Sequence, residues 1–432
     1  MKTALLGGVL LDGRGGPPQS GTTLVLDGPR IETVCHERRF GPDVRVIDLE
    51  GRTVMPGLID CHVHLAPWAL RLVAYPDQRL MELAAEAVRA LRTTLEGGCT
   101  TARDLGGLDP GFRDAVGRGL LSGPRLQVSC VIVSPTNGMA DPVTVQGIRS
   151  PSLPGMPEPE CDGPHAARAK VREVLRAGAD VIKIAVSGGV SAPRLPARRP
   201  LFTPEEIAAV VDEAHRAGAP VACHAVGGPN TLAAVRAGVD SIEHGAWLDD
   251  EVVAEMARRG TWYVPTFAIY RWHAERGTPL RQARARELIA PHRESFARAR
   301  ATGVRIALGT DSGAYGHGET AVELAHMVEA GLSPAEAIAA GTARAAECLG
   351  LGRRRARSRP ARPPTSSCWT AIRSAISRSR ATRRPARSCC VWDSPSAARA
   401  APPGSASPPS SDAGKLSATP RRDRRLGGEG LG

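Results

Sequence analysis

The stretch Arg176-Ala177-Gly178-Ala179-Asp180-Val181-Ile182-Lys183-Ile184-Ala185-Val186 closes a helix-like segment on a glycine and opens a short β-branched run. The same phrase returns twice in strong form. Arg216-Ala217-Gly218-Ala219-Pro220 leads into Val221-Ala222-Cys223-His224-Ala225, and Arg236-Ala237-Gly238-Val239-Asp240 leads into Ser241-Ile242-Glu243-His244-Gly245. Looser copies start at Glu96-Gly97-Gly98, Arg259-Gly260 and Thr302-Gly303. A glycine after the last helical turn ends a helix by taking up the left-handed conformation. An apolar run directly behind it reads as a strand covered on both faces. Ahead of Gly218, the residues Ile207, Val210, Val211 and Ala214 share one helical face. Thr203-Pro204-Glu205-Glu206 supplies the matching start: a cap, a first-turn proline and two first-turn acids.

Helix and strand alternating in this way build parallel β/α units. Strand candidates begin near Leu58, Thr100, Leu126, Val181, Val221, Ser241, Trp262 and Arg305. Eight units over residues 58–352 predict an α/β fold of the (β/α)8 TIM-barrel type. Residues 1–57 read differently, as short alternating runs (Thr22–Leu26, Arg45–Leu49, Thr53–Met55) broken by Gly and Pro. They predict a small β-domain ahead of the barrel.

In a barrel of this kind the chemistry sits at the C-terminal ends of the strands. The first strand ends Leu58-Ile59-Asp60-Cys61-His62-Val63-His64, and alternation puts His62 and His64 on one face, about 6–7 Å apart. Two imidazoles so placed converge readily on a metal ion. Later strands carry Lys183, His224, His244 and, in Leu308-Gly309-Thr310-Asp311-Ser312, Asp311. Singly, each has an ordinary reading: a hydrogen-bonded histidine, a buried ion-pair lysine, an aspartate cap. Together, these six polar groups at successive strand ends are costly to bury unless a metal binds them.

These residues resemble the metal-dependent amidohydrolase superfamily, closest to its imidazolonepropionase-related and prolidase-like branch. The likeness runs from about residue 1 to 352 and includes Pro56-Gly57-Leu58-Ile59-Asp60, Gly98-Cys99-Thr100-Thr101-Ala102-Arg103-Asp104 and Ile242-Glu243-His244-Gly245. The resemblance implies that His62, His64 and Asp311 bind the more buried of two divalent metals, and His224 and His244 the second. Lys183, carbamylated by carbon dioxide, would bridge them, since an ammonium has no lone pair whereas a carbamate offers two oxygens. Zinc suits this nitrogen and oxygen donor set. The implied activity is hydrolysis of an amide C–N bond in a small molecule, such as a dipeptide, N-acyl amino acid or cyclic amide, by a metal-bridging hydroxide. Asp311 is the implied catalytic proton carrier. A related reaction is hydrolysis or deamination of a heterocycle, or cleavage of an ester, on the same site.

Substrate contacts are harder to read. In Ser134-Pro135-Thr136-Asn137-Gly138-Met139, a loop resembling one that usually carries Gly-Gly-His, Asn137 and Met139 depart from the pattern. Tyr315 and His317 are the substrate-facing candidates, and the Gly188-Gly189-Val190-Ser191 loop is a further part of the rim. Arg194, Arg198 and Arg199 read as a solvated basic loop, with a substrate carboxylate as the other reading. His215 reads as structural; His36, His165, His273, His292 and His326 have no strand-end context and are assigned no role.

The 432 residues carry 56 Lys+Arg and 44 Asp+Glu, a formal charge of +12, but the charge is not evenly spread. Residues 1–352 carry −2 and residues 353–432 carry +14. The break falls at Gly352-Arg353-Arg354-Arg355, where an Arg/Ser/Ala/Pro-rich tail begins with a composition typical of disorder. The tail's few aromatics and lack of a binding module argue against a nucleic-acid partner. Written in GC-rich codons, residues 364–376 shifted by one base encode ADLLVLDGDPLGD, and extension back through Arg357 permits LEAGAA upstream. This resembles the strand-and-turn segment that normally completes the small β-domain. A frameshift near residues 352–356 is therefore expected, leaving the N-terminal strands without their partners and the chain at risk of being an inactive remnant.

No run approaches the roughly 18 apolar residues of a membrane span. The start Met1-Lys2-Thr3-Ala4 lacks the pattern of a secretory leader. Ten scattered cysteines without a CxxC pair suit a reducing compartment, so a cytoplasmic enzyme is expected. Its expected partner is a small-molecule substrate, with neither nucleic acid nor membrane; a homo-oligomer is compatible with the sequence.

Overall fold

The structure, a computed structural model, describes residues 2–66, 78–144, 146–150, 152–192, 195–351 and 391–392. Arg194 and the tail from 353 onward, apart from residues 391–392, lie outside the described residues.

Residues 2–54 form only strands and turns: β1 (Lys2–Leu6), β2 (Val9–Leu10), β3 (Gln19–Ser20), β4 (Thr23–Asp27), β5 (Arg30–Cys35), β6 (Val44–Asp48) and β7 (Thr53–Val54). One sheet runs β5-β4-β1-β6, with β1 antiparallel to β4 and parallel to β6. Leu5, Leu26 and Leu49 form its small core. In a second sheet, β2 joins β3 to β7.

The main body alternates strand and helix. It begins β8 (Leu58–Val63), α1 (Leu80–Glu96), β9 (Cys99–Asp104), α2 (Pro110–Gly117), β10 (Arg125–Val128), β11 (Ile132–Val133) and α3 (Pro164–Arg176). There follow β12 (Ile182–Ala185), α4 (Pro204–Arg216), β13 (Val221–Gly227), α5 (Pro229–Ala237), β14 (Ser241–Trp247) and α6 (Asp250–Arg259). The rest of the body is β15 (Trp262–Val264), α7 (Phe267–Arg276), α8 (Pro279–Ala301), β16 (Arg305–Ile306), α9 (Ala321–Glu329), α10 (Pro334–Ala340) and α11 (Ala343–Cys348). Every strand start expected from sequence lies within a residue of an observed one. The short β11 is additional, and its pairing with β12 could not be read from two residues.

The last strand, β17 (Val391–Trp392), comes from the tail and pairs antiparallel with β7. The N-terminal strands are thus not left wholly without a C-terminal partner, contrary to the expectation from sequence. Two paired residues suffice to cover β7 because β7 is itself only two residues long.

The local signals act as the sequence suggests. Thr203 and Glu206 form a reciprocal capping box at the start of α4, with Pro204 in the first turn. Gly238 (φ 101°) and Gly260 (φ 72°) end α5 and α6 in the left-handed conformation. The strands form a three-stranded sheet, β10-β9-β8, and a six-stranded sheet, β11 through β16, with parallel pairing throughout. Backbone hydrogen bonds join the sheets on both sides. Asp180 donates to Val128 (2.8 Å) on one side; on the other, Cys61 donates to Leu308 (2.9 Å) and Asp311 to His62 (2.7 Å).

Helices cover the outer face, so β13 is buried along its whole length. Ile182, Ile184, Val221 and Ile242 from the strands pack with Ile207, Val210 and Phe296 from the helices. Burying each such side chain contributes roughly 1.5–3 kcal/mol. Among the described residues, no helix is long and apolar enough to cross a membrane.

Candidate metal centre

The six residues singled out at strand ends come together. His62 and His64 sit at the end of β8, with ring centroids 5.5 Å apart. His244 lies 4.9 Å from His62 and 4.5 Å from His224, centroid to centroid. Asp311 Oδ1 is 3.5 Å from His62 Nε2 and 3.3 Å from His64 Nε2. His62, His64 and Asp311 form a group that could hold a metal ion. Lys183 lines the same cavity, which has a volume of about 510 Å³ including its open mouth.

Hydrogen bonds on the far side of each ring orient the imidazoles. His62 Nδ1 donates to Glu243 Oε2 (2.9 Å), His64 Nδ1 to the Gly106 carbonyl (3.0 Å), and His224 Nε2 to the Gly188 carbonyl (2.8 Å). His244 Nδ1 pairs with the Thr266 hydroxyl at 2.8 Å. Because a carbonyl or carboxylate can only accept, the ring protons of His62, His64 and His224 are committed outward. Lone pairs remain on Nε2 of His62 and His64 and on Nδ1 of His224.

The electrostatics agree for three of the four rings. Burial pulls His62 down to about 4 and His224 to about 3, and lowers His244 as well, so these rings are neutral donors. His64 goes the other way: burial is outweighed by the Asp311 carboxylate beside it, which raises its pKa. Burial alone would raise Asp311, yet His62, His64 and Lys183 hold it at about 2, an ionised carboxylate. Burial brings Lys183 down to about 8. Its Nζ is buried and has no hydrogen-bond partner, a costly state for an ammonium. Imidazoles, a carboxylate and an orphaned lysine nitrogen facing one cavity fit a metal site.

Backbone strain collects here. Six described non-glycine residues have positive φ, and His244 (73°), Thr266 (56°) and Asp311 (56°) are three of them. Glu243 and His244 are consecutive, and plain strand alternation would send them to opposite faces. The left-handed turn at His244 lets both serve one centre.

Several contributors were not identified from sequence. Arg103 on β9 donates through Nη2 to Glu243 Oε1 (2.9 Å) and through Nε to the Cys61 carbonyl (2.7 Å). Burial alone would raise Glu243, but Arg103 and His62 hold it at about 2. Their only sequence signal is the two-residue period that aligns Arg103 with Thr101, and Glu243 with Ser241. His273, assigned no role above, lines the cavity with Ser191 and Tyr270. Of the expected substrate residues, Tyr315 donates its hydroxyl to the Thr310 carbonyl (3.1 Å), and His317 pairs with Ser312 (3.3 Å). Neither belongs to the described cavity wall. Met139 does line the cavity, in the loop where the usual histidine is replaced.

Residues 53–354 match the model of the amidohydrolase family. The chain belongs to that family. Aspergillus niger ochratoxinase is 34% identical over 321 residues, 69% of this chain and 65% of the ochratoxinase, so the chain spans just under two thirds of that relative's length. Imidazolonepropionase of Mesorhizobium japonicum is 27% identical over 338 residues, 72% of this chain and 76% of the relative. Among solved structures, a Xaa-Pro dipeptidase with methionine bound in its active site superposes with a TM-score of 0.74 and 34% identity, covering 82% of this chain and 90% of the dipeptidase. These amidohydrolases are hydrolases of carbon–nitrogen bonds.

Proposed function

We propose that this amidohydrolase cleaves the amide C–N bond of a small molecule at a binuclear metal centre seated in a (β/α)8 barrel. The barrel reading is supported by the parallel pairing and by the hydrogen bonds linking the two sheets on both sides. On this reading residues 58–352 are the catalytic body and residues 1–57 part of a small β-domain. The observation that carries the function is the convergence of four outward-anchored imidazoles, the Asp311 carboxylate and the partnerless Lys183 nitrogen on one cavity.

His62, His64 and Asp311 would hold one metal, and His224 and His244 the other, most simply zinc. Lys183, which burial brings down to about 8, gives up its proton more readily than a free lysine; adding carbon dioxide to the deprotonated amine, with release of a proton, would turn it into a carbamate able to supply anionic oxygen ligands. When bound, such metals lower the pKa of water and polarise a carbonyl. The chain's own residues do the rest. Asp311, ionised and at the cavity, accepts the proton of the attacking water and returns it to the departing nitrogen. Tyr270 on α7 lines the wall with a hydroxyl that burial keeps protonated, placed to donate to a substrate oxygen. The ochratoxinase, Xaa-Pro dipeptidase and imidazolonepropionase relatives support amide-bond hydrolysis as the reaction.

Elemental analysis of the purified chain tests this. Divalent metal should be bound and should be lost when His62 and His64 are both changed to Ala; a folded wild-type chain that takes up no metal overturns the reading. The carbamate should give an NMR signal from isotope-labelled bicarbonate that disappears in Lys183→Met.

The tail from residue 353 we read as a frameshift product, on the strength of the charge break and the recovered out-of-frame string. Resequencing the coding DNA tests it, and an unbroken frame across residues 352–356 overturns it.

A further inference from the structure

Around the metal ligands the cavity lining is of two kinds. Ile132, Met139, Val190 and Ile269 are apolar. Ser191 and His273 are polar and pair with each other: Ser191 Oγ lies 3.3 Å from His273 Nε2. His273 is 1% exposed, and its Nδ1 is buried without a partner. Burial draws its pKa down to about 4, so the ring is neutral at physiological pH. Neither residue hydrogen-bonds a metal-site side chain in any contact the structure records.

Both residues are held in place. His273 lies on α7 four residues after Ile269 and three after Tyr270, so the three share one helical face toward the cavity. The start of α7 is pinned by the buried Glu323 carboxylate, which accepts from Phe267 N (2.8 Å) and Ala268 N (2.7 Å). The Ser191 loop is held by Arg284 Nη1, which donates to the Ala192 carbonyl at 2.7 Å. That loop passes close to the centre: a Cβ on Gly189 would lie 3.2 Å from His224 and 3.3 Å from Met139 Cε. The Ser191–His273 pair is therefore a fixed feature of the wall. Apart from Lys183, no lysine or arginine is among the described lining residues.

We propose that Ser191 and His273 form a specificity-determining subsite for an uncharged hydrogen-bonding group, so that the cavity prefers neutral, largely apolar amides to amides that end in a free carboxylate. The inference rests on the amide-hydrolase reading for the chemistry but not for the recognition. A neutral hydroxyl–imidazole pair can both donate to and accept from a carboxamide or similar group. A carboxylate placed there would be desolvated beside apolar side chains, with no lysine or arginine but Lys183 among the described lining residues to compensate it.

N-acetyl-leucinamide and N-acetyl-leucine differ only in carboxamide against carboxylate and bracket the proposal. Calorimetric binding to the purified full-length chain should favour the carboxamide by about 10-fold or more, the scale of one or two well-made hydrogen bonds. Where turnover is seen, kcat/KM for removing the acetyl group should favour it similarly, chiefly through KM. Ser191→Ala and His273→Leu should each weaken carboxamide binding by about 10-fold, while Ser191→Thr, which keeps the hydroxyl, should retain it. Binding selectivity without any turnover would sink the hydrolase reading and leave this one standing. Equal or tighter binding of N-acetyl-leucine, carboxamide binding unchanged in both variants, or no binding of either compound would overturn it.

Discussion

Replacing Arg103 with Met tests how the ligand set is held. Arg103 is 2% exposed, and its guanidinium contacts the Glu243 carboxylate (2.9 Å), the Ser241 hydroxyl (3.2 Å) and the Cys61 carbonyl (2.7 Å). Methionine fills similar length but leaves Glu243, itself fully buried, without its counter-charge. Removing one partner of a buried pair typically costs roughly 3–5 kcal/mol, because the remaining charge is stranded. Glu243 is also the acceptor that fixes His62 with Nε2 toward Asp311, so metal affinity should fall about 10–100-fold. Urea unfolding in the presence of chelator isolates the first effect, and competition with a chromophoric chelator measures the second. The double variant Arg103→Met/Glu243→Gln separates them further. It should recover much of the stability, since no charge is stranded, yet not the metal affinity, since His62 still lacks an anionic acceptor. A single variant within about 1 kcal/mol of wild type, with unchanged metal affinity, would refute the account, because that is the range of an exposed pair.

Other consequences follow from the same geometry. His292 is buried between Phe267 and Tyr270, and burial lowers its pKa to about 3. Its folded pKa lies below the unfolded value, so protons bind the unfolded state first and stability should fall as pH drops from about 6.5 toward 4, by up to about 1.4 kcal/mol per pH unit. Denaturation curves over that window should be correspondingly flatter for His292→Leu; an identical slope would contradict the assignment. Asp311→Asn should keep the fold but lower kcat by about 10²–10⁴, as expected for loss of a proton carrier, with circular dichroism as the control. Ile207→Ala, in the main core, should cost roughly 2–5 kcal/mol in chemical denaturation. Thr203→Ala, which removes the capping box of α4, should cost about 1 kcal/mol.

Much of the architecture was legible because its signals are local. A glycine that stops a helix and a β-branched run that starts a strand lie within a few residues of each other, and hydrophobic burial enforces the pattern wherever both faces are covered. The same local logic placed His62, His64, Lys183, His224 and Asp311 at strand ends. The charge break at residue 352 was equally plain, although its consequence for β7 was not: the pairing with Val391–Trp392 joins segments more than 300 residues apart.

The order of strands, the residue types at their ends and the family resemblance were thus determined by the sequence alone. Tertiary structure decided what those residues face and what holds them. Arg103 and Glu243 are 140 positions apart and meet only once their strands are assembled. His244 reaches the centre because the folded backbone sustains a left-handed turn that strand periodicity does not predict. Tyr315 and His317, a few residues beyond Asp311, pair with the Thr310 carbonyl and the Ser312 hydroxyl, while His273 arrives at the cavity from a helix. Residue type and periodicity specify a face; the position of that face relative to the cavity depends on packing between distant segments, which no local pattern encodes.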